Sequence, residues 1–418
     1  MIKRDVLDNG LTLLTEPMPD VRSVSIGAWL KHGSRHEGDA APGIAHFTEH
    51  MLFKGTTSRS AEAIAQQVDS MGGQLDAFTA KECATYYVKV LDEHLPRAVD
   101  LLSDLLLRPA FNAEDVRREA QVITEEIKMV EDTPDDLVHE LFQRSFWPGH
   151  PLGRSILGSP ASVGAMTSDS LRAFFGRSYV AGNLVVAVAG NIEHEQTRDL
   201  LGRAFDGLPT STTETVERPP AVQPSLAVQC KAIEQSHVCL GTPAYAQTHT
   251  DRYPSYVLNT VLGGSMSSRL FQNIRERRGL AYAVSSGLES YRDTGMLMVY
   301  VGCAADAVPE VIDLVVAEMR NLAREPLPDE ELQRAKDHLK GSLVLGLEST
   351  ASRMSQLARS EIYFGRQISV DENLWRVDGI TAEDVQRVAA DLFTNGNLAA
   401  TVLGPEDGPV PSAEQLAL

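Results

Sequence analysis

This 418-residue chain carries one long pattern twice, and that repetition limits what it can fold into. Residues 167–190 read TSDSLRAFFGRSYVAGNLVVAVAG, and residues 381–404 read TAEDVQRVAADLFTNGNLAATVLG. Thr167 aligns with Thr381, Asn183 with Asn397 and Gly190 with Gly404, a constant offset of 214 (381 − 167). Each copy predicts a Thr-capped helix, a Gly-Asn turn and an apolar strand. Upstream, YVKVLDEHLPRAVDLL from Tyr87 aligns with YVGCAADAVPEVIDLV from Tyr300 at an offset of 213 (300 − 87). A period of this length describes duplicated domains rather than a solenoid.

The chain is also too long for one ordinary core. Residues 208–225, LPTSTTETVERPPAVQPS, have the Thr-, Pro- and Ser-rich composition of a linker. The expected domains are residues 1–207 and 226–418. Each mixes strands with amphipathic helices, for example at 95–107 and 308–322. The expected fold class is α+β, with two duplicated domains facing one another as a clamshell. Each is expected to be a largely antiparallel sheet with helices packed on one face.

The chemistry concentrates at His46-Phe47-Thr48-Glu49-His50, which reads H-x-x-E-H, the inverted zinc-protease motif. Histidines at i and i+4 share one helix face and can share one metal ion. Glu49 projects beside that ion, where a carboxylate can take a proton from water. A hydrolytic zinc site uses three protein ligands and keeps one position open, so a third is needed downstream. Residues 112–131 read NAEDVRREAQVITEEIKMVE. Asn112 is a good N-cap, and Glu114 and Asp115 occupy the first turn. Val116, Ala120, Ile123, Ile127 and Val130 recur at helical spacing. Glu119 and Glu126 share a face of this helix, so one could ligate the metal and the other orient a ligand. Without the motif upstream, such a pair on a charged helix is an ordinary solvated face.

These residues resemble the pitrilysin/insulinase family of zinc endopeptidases, above all its short processing-peptidase-like bacterial members. The resemblance spans nearly the whole chain. It is carried by PGIAHFTEHMLFKGT (42–56), GGQLDAFTAKECATYY (72–87) and GGSMSSRLFQNIRERRGLAYAVSS (263–286). In that family the two motif histidines and a glutamate about 76 residues further on bind zinc. This implies His46, His50 and Glu126 as ligands of one zinc per chain. It implies Glu49 as the base and Glu119 as the acidic residue behind the ligands. Glu125 is the adjacent alternative, about 100° around the helix. The second block implies an edge strand to which an extended substrate adds, with Asp76, Ala77, Phe78 and Thr79 along it and Phe53 as an apolar wall. The family more often has asparagine at the position of Asp76, and the acid here favours basic substrates. The third block implies Arg275 and Tyr282 as contacts to the substrate carbonyl and the developing oxyanion.

The duplication carries an asymmetry. At the offset of 214, His46 and His50 fall on Thr260 and Gly264; at 216 (330 − 114), Glu119 and Glu126 fall on Ala335 and Ser342. The second domain therefore lacks the metal ligands and supplies Arg275 and Tyr282. Family members enclose a chamber between two pairs of domains. One pair in this chain implies a homodimer, or a heterodimer with a related subunit. The implied activity is a zinc metalloendopeptidase acting on extended or unfolded peptides. The alternatives are a noncatalytic structural or partner subunit and a module that captures peptides without cutting them. Retention of His46, Glu49, His50, Glu126, Arg275 and Tyr282 together argues against the first, and retention of Glu49 against the second.

Acidic residues outnumber basic ones 57 to 38, a formal charge of −19. That field repels nucleic acid and favours cationic ligands; solubility accounts for its larger share and selection of basic peptides for the smaller. Cys83, Cys230, Cys239 and Cys303 form no C-x-x-C pair, which excludes a cysteine zinc site or redox motif of that type. The N-terminal MIKRDVLDNG has no apolar h-region, and no apolar run reaches about 18 residues. The expectation is a cytoplasmic protein without a membrane segment.

Overall fold

The computed structural model describes residues 1–38, 41–211 and 219–418; most of the linker, residues 212–218, lies outside the described residues. The repeat is visible in strand order. One sheet contains β1 (Lys3–Val6), β2 (Thr12–Pro17), β3 (Ser23–Leu30), β4 (Gln74–Thr79), β5 (Ala84–Leu91) and β6 (Leu184–Gly190), arranged β1-β2-β6-β3-β5-β4. The other contains β7 (Leu226–Cys230), β8 (Gln235–Ala244), β9 (Ala281–Ser290), β10 (Gly295–Ala304) and β11 (Ala399–Gly404), arranged β7-β11-β8-β10-β9. Without β1 the two orders coincide. The pairs β2/β6 and β7/β11 are parallel, and the other pairs are antiparallel.

The local signals behind the repeat hold. Thr167 accepts from the Ser170 amide and Thr381 from the Asp384 amide, and each completes a capping box. Gly190 ends β6 at φ 141°, where a Cβ would lie 2.2 Å from the Ser23 carbonyl oxygen. Crowding by β3 therefore demands glycine at that position.

The fold class is α+β, two sheets packed against helices. Each unit taken by itself, however, is not one contiguous stretch. Residues 130–154 group with the second sheet, and residues 346–367 with the first. The split expected from the linker, 1–207 and 226–418, differs from this grouping at those two segments. In the second unit, the helix Pro134–Phe146 and the following Trp147 lay Leu137, Val138, Phe142 and Trp147 against Cys239, Met296, Met298, Ala399 and Leu403. In the first unit, the helix Thr350–Phe364 lays Met354, Leu357 and Ala358 against Leu14, Trp29, Val185, Ala187 and Ala189. Thr350 Oγ1 bonds Ser25 Oγ at 2.9 Å, and Glu361 receives a forked contact from Arg4.

These two helices also correct the expectation of helices on one face. The larger core of the first unit lies on the opposite side of its sheet, around Leu13, Ile26, Tyr86, Val88, Leu102 and Val186. Both faces are covered. The strand itself explains why: β6 reads LVVAVAG and is buried at every position, so apolar side chains point both ways. Among the described residues no helix is long and apolar enough to cross a membrane.

Candidate active site

The H-x-x-E-H string forms most of a nine-residue helix, Ile44–Leu52, in the first unit. Ile44, Phe47, Met51 and Leu52 face the core, which turns His46, Glu49 and His50 the other way. The helix begins at Gly43, with φ 91°, where a Cβ would lie 2.6 Å from the Leu157 carbonyl oxygen. Its free amides are met by a residue with no sequence signature for the task. Buried Glu37 accepts from the Gly43 amide at 2.8 Å and from the Ala45 amide at 2.9 Å. A carboxylate at this end also complements the helix dipole.

The expected third ligand comes from the helix Ala113–Asp132, whose Val116, Ile123 and Ile127 are buried. Glu126 Oε2 lies 3.7 Å from Nε2 of His46 and 3.7 Å from Nε2 of His50. The three donor atoms all lie within 4.8 Å of one another. Tetrahedral zinc with bonds of about 2.0–2.2 Å separates its ligand atoms by roughly 3.3–3.6 Å, so this donor set fits zinc after small side-chain movements. Its chemistry fits too. Burial, and then the neighbouring His50, push His46 down to about 4, so its imidazole is neutral at pH 7 as a ligand must be. His46 Nδ1 is buried and has no hydrogen-bond partner among the described residues.

His50 is held from behind. Its Nδ1 lies 2.8 Å from Glu119 Oε1, and Lys54 Nζ lies 2.7 Å from Glu119 Oε2. This is the carboxylate–histidine arrangement that fixes the tautomer and ring orientation of a metal ligand. Burial raises the Glu119 pKa, but the hydrogen bonds from His50 and Lys54 outweigh it and hold the carboxyl below its ordinary value. Glu125, the adjacent alternative, has a side chain 72% exposed and pairs with Lys128 at 2.7 Å. It takes no part in the cluster. Lys54 was missed in the sequence, although it sits four residues beyond His50, where a helical chain returns to the same face.

Glu49 is partly buried beside the two histidines. Burial raises its pKa above the ordinary carboxylate value, and a hydrogen bond from Thr79 opposes the rise. Thr79 ends β4, which pairs with β5 alone and so leaves its other edge open. Ala77 turns toward the core with Leu75, whereas Asp76 and Phe78 are exposed on the opposite face. Asp76 accepts from the Tyr87 hydroxyl at 3.0 Å. Phe53 is half-buried, packed on the core with its ring 6.4 Å from that of Tyr86.

Arg275 and Tyr282 belong to the second unit and meet there. The Arg275 guanidinium carbon lies 4.9 Å from the centre of the Tyr282 ring and 4.7 Å from that of Phe271. Tyr282 is 78% exposed. By order of elements, the helix Arg252–Leu262 stands where the motif helix stands in the first unit; it reads RYPSYVLNTVL, without histidine or acid. Ala335 is buried, as is Glu119, its aligned partner.

Fold and site together define a two-repeat protein of the inverted zinc-protease type, with a cluster that could hold a metal ion in one repeat. Two family models match the chain: Insulinase (Peptidase family M16) over residues 12–160, and the Peptidase M16 inactive domain over residues 165–339. The chain belongs to the insulinase family, peptidase family M16. It is 40% identical over 412 residues to the uncharacterized zinc protease YmxG of Bacillus subtilis, covering 99% of this chain and 100% of that one. An uncharacterized zinc protease of Rickettsia bellii is 36% identical over 405 residues, covering 96% and 97%. Among solved structures, the peptidase M16 inactive domain from Pseudomonas fluorescens superposes with a TM-score of 0.92 at 22% identity, covering 98% and 100%. A protease from Helicobacter pylori gives 0.90 at 22%, covering 97% and 100%. These two structures share the fold. His46, Glu49, His50 and Glu126 fall within the first family match, and Arg275 and Tyr282 within the second.

Proposed function

We propose that this chain is a zinc metalloendopeptidase that hydrolyses peptide bonds in extended or unfolded peptides. The observation that carries the reading is the convergence of His46, His50 and Glu126 with Glu49 beside them. These three residues hold one zinc per chain. When bound, the metal lowers the pKa of water and polarises a carbonyl. Glu49 takes the proton of the attacking water and passes it to the leaving amine. The open edge of β4 offers backbone hydrogen bonds to an extended chain, which explains affinity without strong sequence preference. Arg275 and Tyr282 steady the developing oxyanion, a role that rests on the family resemblance of the third block. The exposed Asp76 and the acidic net charge favour basic peptides.

The test is metal content and cleavage of a quenched unstructured peptide. The wild type should hold one zinc per chain and lose cleavage to a chelator. Glu49→Gln should keep the zinc and lose at least about 100-fold in kcat. A wild type that binds no zinc and cuts no member of a broad peptide library refutes the enzyme and leaves the noncatalytic subunit standing. We further propose a cytoplasmic protein whose one pair of repeats is completed by a second copy or a related subunit. A fully active monomer in light scattering excludes that pairing.

A further inference from the structure

We propose that Thr79 is the positioning residue that aims Glu49, a role distinct from lining a substrate and resting on the proteolytic reading above. Thr79 Oγ1 donates to Glu49 Oε2 at 2.5 Å. Among the described residues this is the one hydrogen bond that the Glu49 side chain makes. A glutamate side chain has several freely turning bonds, and a helix holds only its base. One donor from a separate element restrains where the carboxylate can point. Threonine suits the task because its branched Cβ stiffens χ1.

The bond also divides labour between the two oxygens. Oε2 accepts from Thr79, while Oε1 has no hydrogen-bond partner among the described residues and is the freer oxygen to receive the proton of the attacking water. The element that supplies the donor matters as well. Thr79 is the last residue of β4, paired with Ala84 of β5, and β4 is the edge to which we assign the substrate. The base is thereby registered against that strand rather than against its own helix alone.

The experiment compares Thr79→Val, which keeps shape and removes the hydroxyl, with Thr79→Ser, which keeps the hydroxyl. Thr79→Val should lower kcat roughly 10- to 100-fold, with KM within about twofold and zinc content unchanged. Thr79→Ser should recover kcat to within about threefold of the wild type. A change confined to KM assigns Thr79 to substrate binding and overturns the proposal. So does unchanged kcat in Thr79→Val, or a serine variant as poor as the valine one. A second readout needs no peptide: the infrared carboxylate band of Glu49, identified by subtracting Glu49→Gln, should shift in zinc-loaded Thr79→Val. An unmoved band overturns the contact itself. A wild type that cuts nothing refutes the proteolytic reading and Thr79's part in turnover, whereas the band still reads the contact.

Discussion

Glu119→Gln isolates the support behind the metal site. The substitution keeps the volume of a side chain that is 6% exposed. In the wild type one oxygen faces His50 Nδ1 at 2.8 Å and the other faces Lys54 Nζ at 2.7 Å. The amide can still accept from His50 through its oxygen. Its NH2 group then faces the Lys54 ammonium, donor against donor, and the charge on the His50 contact is gone. A hydrogen bond to a charged group contributes about 1.5–3 kcal/mol. Losing a residue that orients a metal ligand costs about 10- to 100-fold in affinity, or roughly 1.4–2.7 kcal/mol. The two ranges overlap, and a zinc affinity weakened 10- to 100-fold is the expected result. Competition against a chromogenic chelator measures it. Glu125→Gln, on the neighbouring exposed side chain, should stay within about twofold of the wild type. An unchanged affinity in Glu119→Gln, or an equal loss in Glu125→Gln, refutes the reasoning.

Two further outcomes follow from burial. His46 has a folded-state pKa of about 4 against an ordinary 6.5, so between those values the unfolded chain binds the extra proton. The metal-free protein should therefore lose stability as pH falls from 6.5 to 4, by up to about 3 kcal/mol from this group. His46→Gln should flatten that slope in urea unfolding, and an identical slope in both proteins contradicts it. Phe142 is fully buried against the second sheet, although it lies in the first half of the sequence. Phe142→Ala should cost about 3–5 kcal/mol and speed amide exchange in β8 and β10. Faster exchange confined to the first sheet instead contradicts the exchanged helix.

Where a feature is local, the sequence exposes it. The i, i+4 histidines of His46 and His50 meet because helical geometry places them together, whatever surrounds them. Thr167 and Thr381 cap their helices through bonds to the third residue along. The repeat also reveals which half lacks ligands, since aligned positions carry Ala335 and Ser342 instead of Glu119 and Glu126. Glu126 is an intermediate case: helical spacing leaves it level with Glu119, and resemblance selects it.

Tertiary structure decided the rest. The cap supplied by Glu37, the grip of Lys54 on Glu119 and the bond from Thr79 to Glu49 all join residues whose separation in sequence carries no period. Such contacts depend on how loops and strands return, and composition does not encode that path. The exchanged helices show the same limit at larger scale. The apolar stripes of Pro134–Phe146 and Thr350–Phe364 declare that each helix must be buried, yet burial is non-directional and names no partner. The duplication was therefore determined by the sequence alone, whereas the sheet that each of these helices covers was decided only when the chain folded.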